Sequence, residues 1–169
     1  GQCPMSTLLA PPIALRPAQE DDLPFLYRVY ASTRQEELAL VDWDEAQKDW
    51  FLHMQFDLQA RSYAQTFPEV DCQVILHDGQ PIGRLMVDRM PDQILLVDIA
   101  LLPEHRSAGI GTALVKSVLN EAASAGKPVV LHVEKFNRAR SLYERLGFSI
   151  FERSDVYLKM RWLCHGDAL

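Results

Sequence analysis

The N-terminal part of the chain changes from a short extended pattern to a helical one. Ile13 and Leu15 alternate with small or polar side chains over residues 13–17, which predicts a first strand. Asp21 and Asp22 follow, and carboxylates at such a place are typical of a helix N-terminus. Because proline is tolerated in a first turn, Pro24 supports a helix that begins there.

A second helix is predicted between Asp42 and Pro68, because Pro68 cannot continue a helix. Its large apolar side chains recur at a spacing that puts them on roughly one face. These side chains are Trp43, Trp50, Met54 and Leu58. We expect the aromatic side chains of this region, which are Trp43, Trp50, Phe51, Phe56 and Tyr63, to face the core, with the acidic opposite face in solvent. The alternative is the wall of an amine pocket, since aromatic rings and carboxylates together can hold a cation.

Extended patterns replace the helical ones after residue 70. Apolar runs at 74–76 and 82–87 flank Asp78-Gly79, and an Asp-Gly pair between two such runs predicts a hairpin. Residues 94–102 form an almost unbroken apolar run whose one charge is Asp98. Such a run is typical of a central strand covered on both faces. Three consecutive antiparallel strands are therefore expected.

The last third of the chain alternates helices and strands. Residues 109–125 have a helical period, and Gly126 follows in the position that glycine favours after a helix. The remaining predicted elements are a strand at 129–133, a helix at 137–146 and two closing strands at 148–151 and 156–162. The predicted order is β-α-α-β-β-β-α-β-α-β-β.

Length and composition fit one domain with one core. The chain has 169 residues, of which 48% are hydrophobic and 24% are charged, and its net charge is −6. We assign residues 13–163 to a single domain, 1–12 to an N-terminal tail and 164–169 to a C-terminal tail. The residues ahead of Met5 can be the remnant of a tag.

Charge and cysteine content narrow the classes of partner and location. An acidic domain is a poor general binder of nucleic acid or anionic membranes. No apolar run approaches the length of about 18 residues that spans a bilayer, and no signal peptide is recognisable. Cys3, Cys72 and Cys164 are far apart and have no clustered histidines. We therefore expect neither a metal nor disulfides, and a cytoplasmic location.

The most informative segment is the loop from Arg106 to Thr112, which follows a buried strand and opens a helix. The first turn of a helix has N–H groups without partners and the positive end of the dipole, so it binds phosphate oxygens. Gly109 and Gly111 let the backbone approach a ligand closely. The loop lacks the lysine of a P-loop, and Leu114 replaces the third glycine of a dinucleotide fingerprint. A plain helix cap is the alternative.

The pattern Arg-x-x-Gly-x-Gly after a strand resembles the acetyl-CoA signature of the GNAT superfamily of N-acetyltransferases. A second signature of that family is a strand that ends near an Asn and a helix with Ala-x-x-x-Tyr-x-x-x-Gly-Phe. The matching residues are Asn137, Ala139, Tyr143, Gly147 and Phe148. The resemblance covers residues 70–162 well, and residues 13–67 only in the order of elements.

The resemblance implies an α/β (α+β) GNAT fold. Its mixed, mostly antiparallel twisted sheet would have about seven strands, four flanking helices and a splay at the central parallel pair. The resemblance also implies acetyl-CoA as cosubstrate, with the pantetheine in the splay and the diphosphate on the loop. The expected contacts are Ile99, Ala100, Leu101, Arg106, Ser107, Ala108, Gly109, Ile110, Gly111, Thr112, Asn137 and Arg140. Asn137 is alternatively a helix cap, and Arg140 is alternatively only solvated.

Direct transfer to an amine needs a base or a water relay, because an alkylamine with a pKa of about 10.4 is protonated at neutral pH. Asp98 is the leading candidate, and its alternative role is an ion pair with Arg84 or Arg89. The other candidates share one face of the next strand: Glu134 and His132. The resemblance implies that Tyr143 donates a proton to the CoA thiolate.

The predicted function is N-acetyl transfer to a primary amine. A small amine, an amino acid, an aminoglycoside and a protein amine all remain open as acceptors. The alternative is a non-catalytic acyl-CoA-binding or partner-binding module on the same fold. A homodimer formed through the apolar segment 156–162 is a further option.

Overall fold

The computed structural model describes residues 7–10 and 12–164. Within these ranges the chain forms one eight-stranded sheet and five α-helices. The strands are β1 (Thr7–Ala10), β2 (Ile13–Pro17), β3 (Asp71–His77), β4 (Gln80–Arg89), β5 (Ile94–Leu101), β6 (Val129–Glu134), β7 (Ser149–Arg153) and β8 (Tyr157–Trp162). The helices are α1 (Leu23–Thr33), α2 (Gln35–Leu38), α3 (Glu45–Thr66), α4 (Ile110–Ala125) and α5 (Ala139–Arg145).

The sheet is mixed and mostly antiparallel, in the order β1-β2-β3-β4-β5-β6-β8-β7. The central pair β5 and β6 is parallel, and the other neighbouring pairs are antiparallel. The predicted architecture is confirmed, with β1 as an additional edge strand. Because β8 is paired with both β6 and β7, it has no open edge for a second copy. The homodimer stays a prediction, and pairing along an edge of the segment 156–162 is not available to form it.

The central parallel pair separates soon after it begins. Residues 94–96 of β5 pair with residues 129–131 of β6, and the pairing goes no further. A bulge in the β4–β5 ladder leaves Val97 without a partner in β4, and a bulge bends the strand that carries it. The gap between residues 97–101 of β5 and residues 132–134 of β6 is called the splay below. It lies where the sequence predicted it.

Two short elements were not predicted. Residues 7–10, which we assigned to a tail, form β1 and pair with β2; two prolines after Ala10 hide this continuity in the sequence. The helix α2 is a single turn, too short to show a helical period. The remaining parts of the predicted tails, 1–6, 11 and 165–169, lie outside the described residues, and the domain boundaries stay a prediction.

The aromatic stripe that we expected in the core is only partly there, since Phe56 and Phe51 pack in or against the core and the tryptophans of the stripe do not. Trp50 is 67% exposed and Leu58 is 49% exposed, while Leu52 and Phe56 are buried. The ring of Phe56 packs on Tyr30 of α1 at 5.7 Å between centroids. Both faces of α3 carry apolar side chains at helical spacing, so the period alone could not decide which one the neighbouring helix covers.

Two hydrophobic clusters hold the two sides of the sheet. The larger cluster joins the sheet to α4 and α5 and includes Leu114, Tyr143 and Met160. The smaller cluster joins α1, α2 and α3 through Leu26, Tyr30, Leu38, Leu52 and Phe56. Because side chains alternate along a strand, each strand beside the splay presents residues to both sides.

Candidate active site

The loop after β5 presents a row of backbone N–H groups that have no acceptor in the protein. Within the described part of the chain, none of the amides from Ser107 to Thr112 donates a hydrogen bond, and the first bond of α4 joins the Ala113 amide to the Gly109 carbonyl at 3.1 Å. Ser107 and Gly109 have positive φ values of 63° and 80°. This backbone conformation directs successive N–H groups into one concavity, as in other anion-binding nests.

The space in front of this loop is open. A Cβ placed on Gly109 or on Gly111 would meet no atom of the described chain within 4 Å. The α4 helix begins at Ile110, so its positive dipole end adds to the field at the loop. Open space, free donors and the helix terminus are features that a diphosphate site needs, and the diphosphate contacts of this loop stay a prediction.

Arg106 does not extend over this loop. Its Nε donates to the Leu101 carbonyl at 3.0 Å and its Nη2 donates to Ser32 Oγ at 3.3 Å. The side chain therefore joins the end of β5 to α1. The predicted phosphate contact of Arg106 would require a different rotamer and stays a prediction.

The edge of β5 that faces the splay keeps free backbone groups. The Leu102 amide donates to the Ile82 carbonyl at 2.8 Å, so even-numbered residues of this stretch direct their N–H groups to β4. By alternation, the amides of Ile99 and Leu101 face the splay, whereas the amide of Ala100 faces β4. Ile99 and Leu101 are therefore the two β5 residues with backbone donors available to a ligand.

Asp98 forms an ion pair on the α1–α3 side of the sheet. Arg84 of β4 donates to one oxygen, Oδ2 of Asp98, from both Nε at 2.9 Å and Nη2 at 2.6 Å. Oδ1 has no partner among the described residues. The Asp98 side chain is 26% exposed, against 9% for Arg84. The ion pair with Arg84, which we considered as the alternative role of Asp98, is therefore present, and it leaves Oδ1 open.

The other side of the splay is held more loosely. Glu134, at the end of β6, lies 3.5 Å from Arg34 Nη1 and is 42% exposed. Arg34 divides its charge between this contact and Glu37, at 3.1 Å. His132 is exposed on the same face of β6. Partial desolvation, followed by the nearby Lys159 ammonium, lowers the pKa of His132, which leaves a neutral imidazole at neutral pH.

Tyr143 of α5 belongs to the core cluster against which Ile99 and Leu101 of β5 also pack. Its ring is buried, with 6% exposure, and packs edge-on against Phe148 at 5.7 Å. Burial, and next the charge of Asp98, raise the pKa of its phenol to about 12. The hydroxyl has no partner among the described residues, yet no fully buried side-chain N or O there is unpaired. The hydroxyl therefore reaches open space as a protonated phenol.

The loop, the splay and Tyr143 all lie within one stretch that matches a known family. The profile of the Acetyltransferase (GNAT) family matches residues 28–148. The chain belongs to the GNAT acetyltransferase family. The resemblance drawn from the two sequence signatures is thereby confirmed.

Two curated relatives of this GNAT chain act on different acceptors. Ribosomal protein bS18-alanine N-acetyltransferase of Haemophilus influenzae is 30% identical over 87 residues, which are 50% of this chain and 60% of that protein. Mycothiol acetyltransferase of Corynebacterium efficiens is 29% identical over 120 residues, which are 69% of this chain and 40% of that protein. The chain thus spans about half the length of these relatives.

Solved structures share the GNAT fold over most of the chain. PaiA N-acetyltransferase of Thermoplasma acidophilum, solved in complex with coenzyme A, has a TM-score of 0.67 at 18% identity and covers 89% of this chain and 98% of its own. The ribosomal-protein-S18-alanine N-acetyltransferase of Escherichia coli has a TM-score of 0.62 at 20% identity, over 89% and 93%. At these identities the likeness shows the fold alone.

The residues at the start of α5 have structural partners in this GNAT domain. Asn137 Oδ1 accepts from the Ala139 amide at 2.8 Å, which caps the first turn of the helix. Arg140 Nε donates to Glu144 at 2.8 Å on the same helix. The capping role of Asn137 that we considered is present, and the contacts of both residues with a cosubstrate stay predictions.

Two searches of the described residues complete the picture of the site. No cluster of three or more His, Cys, Asp or Glu side chains there has the geometry to hold a metal ion. Within the same ranges, no helix combines the length and the apolar character that a membrane crossing needs.

Sequence reasoning did not find Arg34, because nothing links it to Glu134 before α1 and α2 are placed over the sheet. In the sequence analysis, Arg84 was named only as an ion-pair partner that would give Asp98 a structural role instead of a catalytic one. A signal for Arg84 did exist, since a single arginine in the apolar run 82–87 lies opposite a single aspartate in the run 94–102. Two lone opposite charges on neighbouring buried strands predict an ion pair.

Proposed function

We propose that this protein transfers the acetyl group of acetyl-CoA directly to a primary amine. The observation that carries the proposal is the row of unpaired amides from Ser107 to Thr112, which follows β5, the strand whose free edge borders the splay. A diphosphate anchored at that row would place an extended pantetheine along β5 and its thioester in the splay. Ser107, Ala108, Gly109, Ile110 and Thr112 act here through their backbone.

The backbone of β5 would orient the thioester. The amides of Ile99 and Leu101 face the splay and can donate to the pantetheine and to the thioester carbonyl. Donors fixed before the reaction stabilise the oxyanion that develops on that carbonyl, because they need no reorganisation. Ala100 contributes the intervening backbone, since its own amide is directed to β4.

Asp98 is proposed to receive the acceptor amine. Its open Oδ1 can accept a hydrogen bond from the ammonium and then take a proton, directly or through water. The neutral imidazole of His132 and the loosely held Glu134, both on the facing strand, can pass that proton to solvent. The carboxylate and the amine would then be close to the thioester at the moment of attack.

Tyr143 is proposed to complete the transfer as the acid. The amine nitrogen forms a bond to the acetyl carbon, and the C–S bond of the thioester breaks. The Tyr143 hydroxyl, protonated because its pKa is about 12, donates its proton to the departing thiolate. The nitrogen loses its second proton as the amide forms, and a proton returned through solvent restores the Tyr143 phenol, so the products are the N-acetylated amine and CoA.

The acceptor is proposed to be a primary amine on either a protein or a small molecule. The relatives named above include one enzyme of each kind. A panel that contains an alanine-initiated peptide, lysine, an aminoglycoside and an amino sugar would separate these classes, with thiol release as the readout.

A matched pair of glycine variants tests the cosubstrate site. Gly109→Ala puts a methyl group into the open space of the loop, and Gly79→Ala does the same in the β3–β4 turn, where φ is almost identical at 79° against 80°. Both variants should lose a similar free energy of unfolding, about 1–2 kcal/mol, because both force Ala into a left-handed conformation. Only Gly109→Ala should weaken CoA binding in calorimetry, by at least about tenfold (1.4 kcal/mol).

Equal CoA affinities of the two variants would remove the loop from the cosubstrate site. Binding of CoA by the unmodified protein without turnover of any amine in the panel would favour the non-catalytic module instead. Tight CoA binding with release of thiol only in the presence of one amine class would support the proposal and name the acceptor.

A further inference from the structure

Arg84 is the most deeply buried cation of the described chain that lies beside the splay. It is 8% exposed, and its partners there are Asp98 on β5 and Gln59 on α3, the latter at 3.4 Å. An arginine in such a place is costly to desolvate unless it is fully paired. Its retention on a strand whose other side chains are mostly apolar calls for a function.

We propose that Arg84 is a positioning residue, which fixes Asp98 by one oxygen so that the other oxygen meets the acceptor amine. This inference rests on the proposed function and adds to it a residue that never touches the substrate. The geometry is specific: both Arg84 donors end on Oδ2, and neither ends on Oδ1. An ordinary fork-to-fork pair, with one donor for each oxygen, would leave Asp98 less free to accept from an amine.

A fork-to-fork pair elsewhere in the protein shows the contrast. Arg16 donates from Nη1 to Asp22 Oδ2 at 2.8 Å and from Nη2 to Asp22 Oδ1 at 2.7 Å. Both carboxylate oxygens of Asp22 are thus occupied, and Asp22 accepts from the Gln19 amide as well. That pair holds a turn ahead of α1, far along the chain from the splay. An arginine–aspartate pair in this protein can therefore occupy both carboxylate oxygens, and the pair of Arg84 and Asp98 differs because it leaves Oδ1 open.

The charge of Asp98 is felt by a tyrosine on each of two helices. Burial and then the Asp98 charge raise the pKa of Tyr143 on α5 and of Tyr63 on α3. Tyr63 is one turn of α3 beyond Gln59, which contacts Arg84. Through Gln59 and Asp98, Arg84 therefore links α3 to β5.

The test is a cycle of Arg84→Met, Asp98→Asn and the double variant. Arg84→Met should raise the KM for the amine about tenfold and leave the Kd for CoA unchanged. If Arg84 acts through Asp98, the double variant should be no worse than Asp98→Asn alone, because the second change removes a contact that no longer matters. Arg84→Lys, which keeps the charge, should recover part of the amine KM.

Arg89→Met is the matched control on the same strand. Arg89 pairs with Asp71 and Glu121 at the surface, far from the splay. Its loss should lower thermal stability without a change in the KM for the amine. If the two arginine variants move the amine KM equally, or if the effects of Arg84→Met and Asp98→Asn multiply in the double variant, the proposal is wrong.

Folding and the proposed function are separated within the same experiment. If Arg84→Met does not fold, Arg84→Gln, which also removes the charge, replaces it in the cycle, and an unchanged amine KM for that folded variant would overturn the proposal. Failure of the proposed function would appear in the unmodified protein, as absence of amine-dependent thiol release. If only the Arg84 proposal is wrong, the unmodified protein will be active and only the variants will depart from the expected amine KM values.

Discussion

The two strands that border the splay hold their carboxylates in different ways. On β5, Asp98 accepts two short hydrogen bonds from a buried arginine. On β6, Glu134 has one contact of 3.5 Å with Arg34, which also pairs with Glu37 at the surface. A buried, doubly bonded pair has one geometry, whereas an exposed pair in competition with water has many.

This difference assigns different tasks to the two sides. The β5 side also carries the free amides, the bulge and the long helix α4, and it is suited to bind and orient. The β6 side carries exposed groups on one face and Tyr143 beyond the following turn, and it is suited to move protons. We therefore expect changes in the loop after β5 to affect CoA binding, changes at Asp98 to affect the use of the amine, and changes at Tyr143 to affect turnover.

The largest expected effect is that of Tyr143→Phe. The change removes the proton donor but keeps the ring that packs on Phe148, so the fold should persist. Turnover should fall about 100- to 10,000-fold, the usual range for loss of a general acid, while the Kd for CoA stays within about twofold. Steady-state kinetics together with calorimetry check both numbers. Unchanged turnover would remove Tyr143 from the mechanism.

The pH profile sharpens the same assignment. Because the pKa of Tyr143 is raised to about 12, its phenol stays protonated through the whole range in which the acceptor amine loses its proton. The kcat/KM for the amine should therefore rise with pH and show no decline from Tyr143 up to about pH 10. If kcat/KM declined from about pH 8, and the decline disappeared in Tyr143→Phe, burial would not keep the Tyr143 phenol protonated as proposed.

The next effect is that of Asp98→Asn, on the opposite strand. Loss of a hydrogen bond to a charged group is worth about 1.5–3 kcal/mol, so kcat/KM for the amine should fall about 10- to 100-fold. Thermal stability should fall as well, because Arg84 keeps its charge in a buried place without a carboxylate. Asp98 is assigned to the amine and the loop after β5 to CoA. An effect of Asp98→Asn on CoA affinity as large as its effect on the amine would contradict that assignment.

The β5 side of the site was easier to predict than the α1–α3 side. Backbone donors need only a strand, two glycines and a helix, and all three leave periodic or compositional marks in the sequence. The exposed face of α3 and the contact of Arg34 with Glu134 depend on how α1 and α2 dock on the sheet. A one-turn helix and two similar apolar faces leave no local mark, so only the tertiary packing decides them.

A smaller effect is expected at Gly111, within the first turn of α4. Gly111 is helical and a Cβ there would touch nothing, so Gly111→Ala should stabilise the protein by about 1 kcal/mol through helix propensity. The same methyl group should weaken CoA binding by about fivefold, since it stands in the path of the diphosphate. Opposite signs in thermal unfolding and in CoA calorimetry would identify a glycine retained for its ligand. An increase in both would remove Gly111 from the cosubstrate site.

The smallest effect should come from Glu134→Gln on the β6 side. An exposed ion pair contributes less than about 1 kcal/mol, and here His132 and water can carry the proton in place of Glu134, so turnover should fall about threefold or less. Glu121→Gln is a suitable control, since Glu121 is 41% exposed, against 42% for Glu134, and pairs with Arg89 rather than with a residue beside the splay. If Glu134→Gln instead lost most of its turnover while Asp98→Asn had only a mild effect, the roles of the two carboxylates would be reversed. The base would then lie on β6, and the carboxylate that Arg84 holds on β5 would serve only to bind.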